Sequence, residues 1–171
     1  IRSAEGLSPP RNGTTTALPV HGVDAMVHDL GQLLAEPGDG EAASFGTAIA
    51  LTGGEGSGRS TLARRLAWTL GATGRAVAYL EPRRLTIDHA EAVKIERETW
   101  KARANELCFV VDDWDALSAS ARREVLAACE AGAKLVGVAA ADLFPGFRKV
   151  KTFAMPPLDR RSARDLVQRV I

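Results

Sequence analysis

Gly53-Gly54-Glu55-Gly56-Ser57-Gly58-Arg59-Ser60-Thr61 decides how the rest of the chain is read. It fits the spacing G-x-x-x-x-G-K-[ST] at every fixed position except one, where Arg59 stands in place of lysine. Glycines let the backbone curl so that successive N–H groups point inward and form a nest for an anion. A helix starting near Arg59 adds its positive end at the same spot. Ser60 can offer its hydroxyl to a magnesium ion shared with the β- and γ-phosphates of a nucleotide. A glycine-rich turn with no ligand is the plain alternative, but the pattern demands a strand before it and a helix after it. Both are legible. Residues 47–51 are a short apolar run bounded by glycines, and Leu62, Leu66 and Leu70 recur four apart in a helix over residues 60–70 that Gly71 should end.

Arg59 changes the chemistry of the loop. Lysine is a compact point charge, whereas arginine is planar and forked. Arginine still neutralises phosphate and can bind it bidentately. Phosphate binding is therefore expected, with hydrolysis weakened.

Strands and helices alternate outward from the loop. Residues 75–80, 107–111, 135–140 and 150–154 read as further strands, and Pro82 stops the first of these. Residues 88–105 are long, charged and alanine-rich, a solvent-facing helix. Residues 118–131 form a helix with Ser118 as N-cap and Gly132 as stop. Before the loop, Val23, Met26, Val27, Leu30, Leu33 and Leu34 recur at helical spacing up to a Glu36-Pro37-Gly38 stop. Strands apolar on both faces and separated by helices belong in a parallel sheet covered on two sides. The fold class is α/β, three-layered, with about five parallel strands.

A second chemistry-bearing segment is Leu107-Cys108-Phe109-Val110-Val111-Asp112-Asp113, a buried strand that ends in two acids. The carboxyl end of a parallel strand faces the crevice where such sheets bind ligands. Asp112 is placed to hold the magnesium through water, and Asp113 to orient or deprotonate an attacking water. Two neighbouring carboxylates also favour a cation between them. A polar turn at a strand end is the plain reading of the same residues.

The whole chain has 171 residues, is 46% hydrophobic and 25% charged, and carries a net charge of +1. Those values exclude a disordered tail, a collagen-like repeat and a highly charged nucleic-acid arm. The longest uncharged apolar run, residues 135–141, is seven residues and spans no membrane. No secretory signal is visible, Cys108 and Cys129 form no disulfide framework, and a cytoplasmic protein with buried, reduced thiols is expected. The chain opens on Ile1 and is read as a piece of something longer. Residues 1–19 are a linker or loose arm, 20–155 the core, and 156–171 the start of a helical segment. Residues 142–171 hold three acids and seven bases, a solvated or inter-subunit face before it is a nucleic-acid site.

Together the two motifs resemble those of P-loop NTPases of the AAA+ and signal-transduction-ATPase (STAND) group. Gly53 to Thr61 matches the phosphate loop, and Phe109 to Asp115 is similar to the acidic strand end of apoptotic and plant-immunity switch ATPases. Pro19-Val20-His21-Gly22-Val23-Asp24 resembles the opening segment that packs near adenine, with His21 as the candidate contact. Met155-Pro156-Pro157-Leu158-Asp159 resembles the connection into the helical lid. The resemblance implies ATP or ADP with Mg²⁺ as cofactors. It assigns Gly53, Gly54, Glu55, Gly56, Ser57, Gly58, Arg59, Ser60, Thr61 and His21 to the nucleotide, Ser60 and Asp112 to the metal, and Asp113 with Arg59 to turnover. The pattern departs at Arg59, at Asp113 in the usual glutamate place, and at Ala139-Ala140-Ala141, where a polar or arginine sensor belongs.

Partners implied are self-association or other proteins through a larger chain. A pseudo-ATPase assembly scaffold that binds nucleotide weakly or not at all is the alternative, and a DNA-linked ATPase a more distant one. Arg148, Arg160, Arg161 and Arg164 are surface charges or fingers acting on a neighbouring subunit. Trp68, Trp100 and Trp114 read as packing residues, and His28 and His89 as solvated ones.

Overall fold

A computed structural model describes residues 23–35, 47–139 and 150–155. Its elements run α1 (Val23–Ala35), β1 (Ala48–Thr52), α2 (Arg59–Ala72), β2 (Val77–Leu80), α3 (His89–Thr99), β3 (Cys108–Val111), α4 (Ala119–Glu130), β4 (Lys134–Val138) and β5 (Val150–Ala154). Short 3₁₀ turns follow β2, α3 and β3. The five strands form one parallel sheet in the order β2-β3-β4-β1-β5.

The apolar runs explain the layers. Side chains alternate across a strand, so Ile49, Leu51, Val110 and Val136 face one side with Leu30, Leu34, Leu62 and Leu66 of α1 and α2. Ala48, Ala50, Phe109, Val111 and Leu135 face the other, with Val93 of α3 and Val125 and Cys129 of α4. Both cores are closed. The three-layer α/β fold with a five-stranded parallel sheet is thus the observed one.

Two helix readings change. Gly71 lies inside α2, which ends at Ala72, and the chain turns at Gly74 with φ +82°. Leu70 is 4% exposed, so burial of that side chain carries the helix through a glycine that propensity disfavours by about 1 kcal/mol. The long helix over 88–105 is two pieces. Asp88 caps α3 through the amides of Ala90 and Glu91, and α3 ends at Thr99. A 3₁₀ segment, Lys101–Glu106, follows and breaks at Arg103, whose φ and ψ are −130° and 36°. Nor is α3 purely solvent-facing, since Ala90, Ala92 and Val93 are buried and it packs along α4.

Ser118 does cap α4, accepting from Ala121 N–H at 3.2 Å, and Gly132 with φ +99° ends it. Both cysteines are buried and unbridged, as expected. Among the described residues no helix is long and apolar enough to cross a membrane.

Candidate functional site

The loop between β1 and α2 takes the shape its glycines permit. Gly53, Gly56 and Gly58 all have positive φ, at +148°, +73° and +86°. A Cβ on Gly54, Gly56 or Gly58 would meet nothing within 4 Å, so that part of the loop borders open space. Gly53 differs. A Cβ there would lie 2.9 Å from Ser57 Oγ and 3.3 Å from the Met155 carbonyl, so this glycine is needed for close packing against the end of β5. Inside the loop Ser57 N–H donates to Gly54 C=O at 3.2 Å. Gly58 is the N-cap of α2 and supplies no side chain to it. The first-turn amides of a helix have no partner within the helix, so those of Arg59, Ser60 and Thr61 remain for an incoming acceptor. Ser57 Oγ is buried and has no partner among the described residues.

The fold brings the two sequence motifs together. Among the described residues, a cleft of about 290 Å³ is lined by Ser60, Glu81, Arg83, Arg84, Asp112 and Asp113. Asp112 N–H continues the ladder to Leu80 C=O at 2.8 Å, which sets its carboxylate at the carboxyl end of β3, and it is 7% exposed. Tyr79 Oη donates to Asp112 Oδ2 at 3.2 Å. Burial, and behind it the Asp112 charge, push the Tyr79 phenol up to about 12, so it stays a donor at neutral pH. Asp113 sits at φ 74°. That region is strained for a residue with a side chain, and such strain gathers at functional sites.

Arg59 takes a place of its own. Its Nη1 donates to the Ala139 carbonyl at 3.1 Å, tying the start of α2 to the end of β4. Ala139 opens the Ala139-Ala140-Ala141 stretch where the resemblance expects a sensor, and the arginine contacts its backbone; Ala140 and Ala141 lie outside the described residues. His21, Arg148, Arg160, Arg161 and Arg164 lie outside the described residues, as do the arm at 1–19 and the segment at 156–171.

The sequence reading missed the end of β2. Glu81 pairs with Arg64 at 3.3 Å and with Arg84 at 3.2 Å, while Arg83 Nε pairs with Asp113 Oδ2 at 2.5 Å. The signal was present as Leu80-Glu81-Pro82-Arg83-Arg84, charged residues at a strand's carboxyl end, where only the proline was weighed. Two other readings fail. Trp68 is 60% exposed beneath the Arg65 guanidinium rather than packed. His89 is not simply solvated, because its Nδ1 accepts the Ser118 N–H at 3.2 Å.

No protein-family model and no curated protein matches the chain. Solved structures do. AMPPCP-bound DnaA from Aquifex aeolicus superposes with a TM-score of 0.52 at 16% identity, over 84% of this chain and 48% of that one. At this identity the likeness is one of fold, a parallel sheet covered by helices. A DNA replication initiation factor gives 0.52 at 17% identity over 86% and 48%. Drosophila ORC bound to GC-rich DNA and Cdc6 gives 0.55 at 13% over 99% and 38%. The chain spans less than half the length of each of these.

The residues at the site fit a magnesium nucleotide. The open side of the loop lets backbone amides approach phosphate oxygens. Magnesium keeps several waters and takes only one or two protein ligands, so Ser60 and Asp112 suffice. Among the described residues no cluster of three or more His, Cys, Asp or Glu is placed to hold a metal by itself.

Proposed function

We propose that the chain is a nucleotide-binding AAA+/STAND-like module that changes conformation with nucleotide state inside a larger assembly. The observation that carries this reading is the shared cleft: Ser60 from the loop and Asp112 and Asp113 from β3 line one cavity beside an uncapped helix N-terminus.

In this reading the amides of residues 54–60 hold the phosphates, and their dipoles replace the water lost on binding. Magnesium, when bound, neutralises charge on the β- and γ-phosphate oxygens. Ser60 and Asp112 would be the residues that hold it. Tyr79 keeps the Asp112 carboxylate in one orientation. Asp113, at its strained φ, presents a carboxylate to the water that would attack. Arg59 steadies the loop from the β4 side.

Titration of the full chain with a fluorescent ATP analogue, with magnesium and with EDTA, tests the reading. Magnesium-dependent saturation is expected. Asp113→Asn should keep the affinity and abolish any phosphate release, and unchanged release would remove Asp113 from its role.

The position of Arg59 favours a second reading. A guanidinium bonded to Ala139 C=O, with no sensor side chain on that residue, suits a scaffold that binds nucleotide without turning it over. Saturable binding with no phosphate release would select it. A DNA-linked role is supported only by likeness in fold to DnaA and to ORC bound to DNA, and salt-sensitive DNA binding by this chain would argue for it.

A further inference from the structure

Phosphoryl transfer spreads negative charge over the terminal phosphate oxygens, and a cation must sit near them. Among the described residues, the end of β4 offers no such cation, and Arg59 is tethered by one guanidinium N–H while it keeps its charge and its other donors. Ala139 has only a methyl group where a sensor belongs. Arg59, at the lysine place of the loop, spends a guanidinium N–H on the Ala139 carbonyl.

The end of β2 carries the alternative. Because β2 lies beside β3 in the sheet, the residues after Leu80 reach the same crevice as Asp112 and Asp113. Glu81 engages Arg64 and Arg84, which leaves Arg83 directed at Asp113. The Arg83 side chain is 79% exposed and, among the described residues, its ion pair is with Asp113, so it can turn without disturbing the core. It lines the cleft together with Ser60.

We propose that Arg83 reads the terminal phosphate. It is the residue that makes the site prefer a nucleoside triphosphate to a diphosphate, in place of a sensor on β4. The guanidinium is planar and forked, so it can bridge Asp113 and a phosphate oxygen at once or pass from one to the other. A diphosphate ends one phosphorus short and offers it nothing. The inference rests on the proposed nucleotide site and names what gives that site its selectivity.

Calorimetric titration of the full chain with magnesium ATP, magnesium ADP and a non-hydrolysable triphosphate tests it. The wild-type chain should bind both triphosphates more tightly than ADP. Arg83→Gln should lose about tenfold or more in affinity for the triphosphates and less than about twofold for ADP, and Arg83→Lys should recover part of the loss, as expected for a charged hydrogen bond. Equal losses for ATP and ADP, or no loss for either, would overturn the role of Arg83 while leaving the nucleotide site standing. A folded wild-type chain that binds neither nucleotide would overturn the site itself, and Arg83 with it.

Discussion

Gly53→Ala isolates what the first glycine of the phosphate loop does. The new methyl would stand 2.9 Å from Ser57 Oγ, 3.1 Å from Met155 Cβ and 3.3 Å from the Met155 carbonyl, at φ +148°. The backbone strain costs about 1–3 kcal/mol. Overpacking against a carbonyl that cannot swing aside adds about 1–3 kcal/mol. Gly58→Ala has φ +86° and open space around it, so only backbone strain of about 1–2 kcal/mol applies. Urea unfolding followed by circular dichroism separates the two. With a slope of about 2 kcal/mol per M, Gly53→Ala should lower the midpoint by roughly 1–3 M and Gly58→Ala by roughly 0.5–1 M. Adding Ser57→Ala to Gly53→Ala removes the tightest of the three contacts and should restore part of the loss. A Gly53→Ala midpoint no lower than that of Gly58→Ala would refute the packing argument.

Tyr79→Phe removes the hydrogen bond that orients Asp112 but keeps the ring, so magnesium-dependent nucleotide affinity should fall about two- to tenfold while affinity in EDTA is unchanged. Equal changes in both conditions would mean Tyr79 acts on the fold and not on the metal site. Stability should also decline in alkali. Burial pushes the Cys108 thiol up from 9.0 to about 12, and raises Cys129 as well. Above about pH 9 the unfolded chain releases both thiol protons and the folded chain keeps them, so this contribution is whole below pH 9 and lost as pH rises toward the folded values. Each thiol gives a slope of up to about 1.4 kcal/mol per pH unit. Urea midpoints should fall between about pH 8.5 and pH 10, less steeply in Cys129→Ala, and a flat profile would contradict the burial argument.

Strand runs and loop glycines were legible because each answers to local rules. Residues 150–154 were read as a strand and form β5. Gly132 and Ser118 were read as the stop and cap of α4 and serve so. The break after Thr99 was not legible. Lys101–Glu106 contains good helix formers and neither glycine nor proline. The chain leaves the helix there for tertiary reasons: Trp100 packs on the core, Arg103 Nη2 bonds the Gly74 carbonyl at 3.0 Å, and Leu107 is buried at the approach to β3. The Glu81–Arg84 cluster needed the sheet order. From sequence β2 could have lain anywhere in the sheet, and only its place beside β3 sets Arg83 against Asp113. Trp68 lies two residues from both Leu66 and Leu70, so the helix that turns those leucines inward points the indole outward and leaves it to Arg65.

The central claim concerns backbone amides, and amide NMR reads those directly. Titrating magnesium ATP into the isotopically labelled chain should shift the resonances of Gly54, Gly56, Gly58, Arg59 and Ser60 together with Asp112, while amides of α4 stay in place. Saturating nucleotide that leaves the loop amides unmoved in a folded chain, or that moves only residues remote from the β1–α2 turn, would contradict the account.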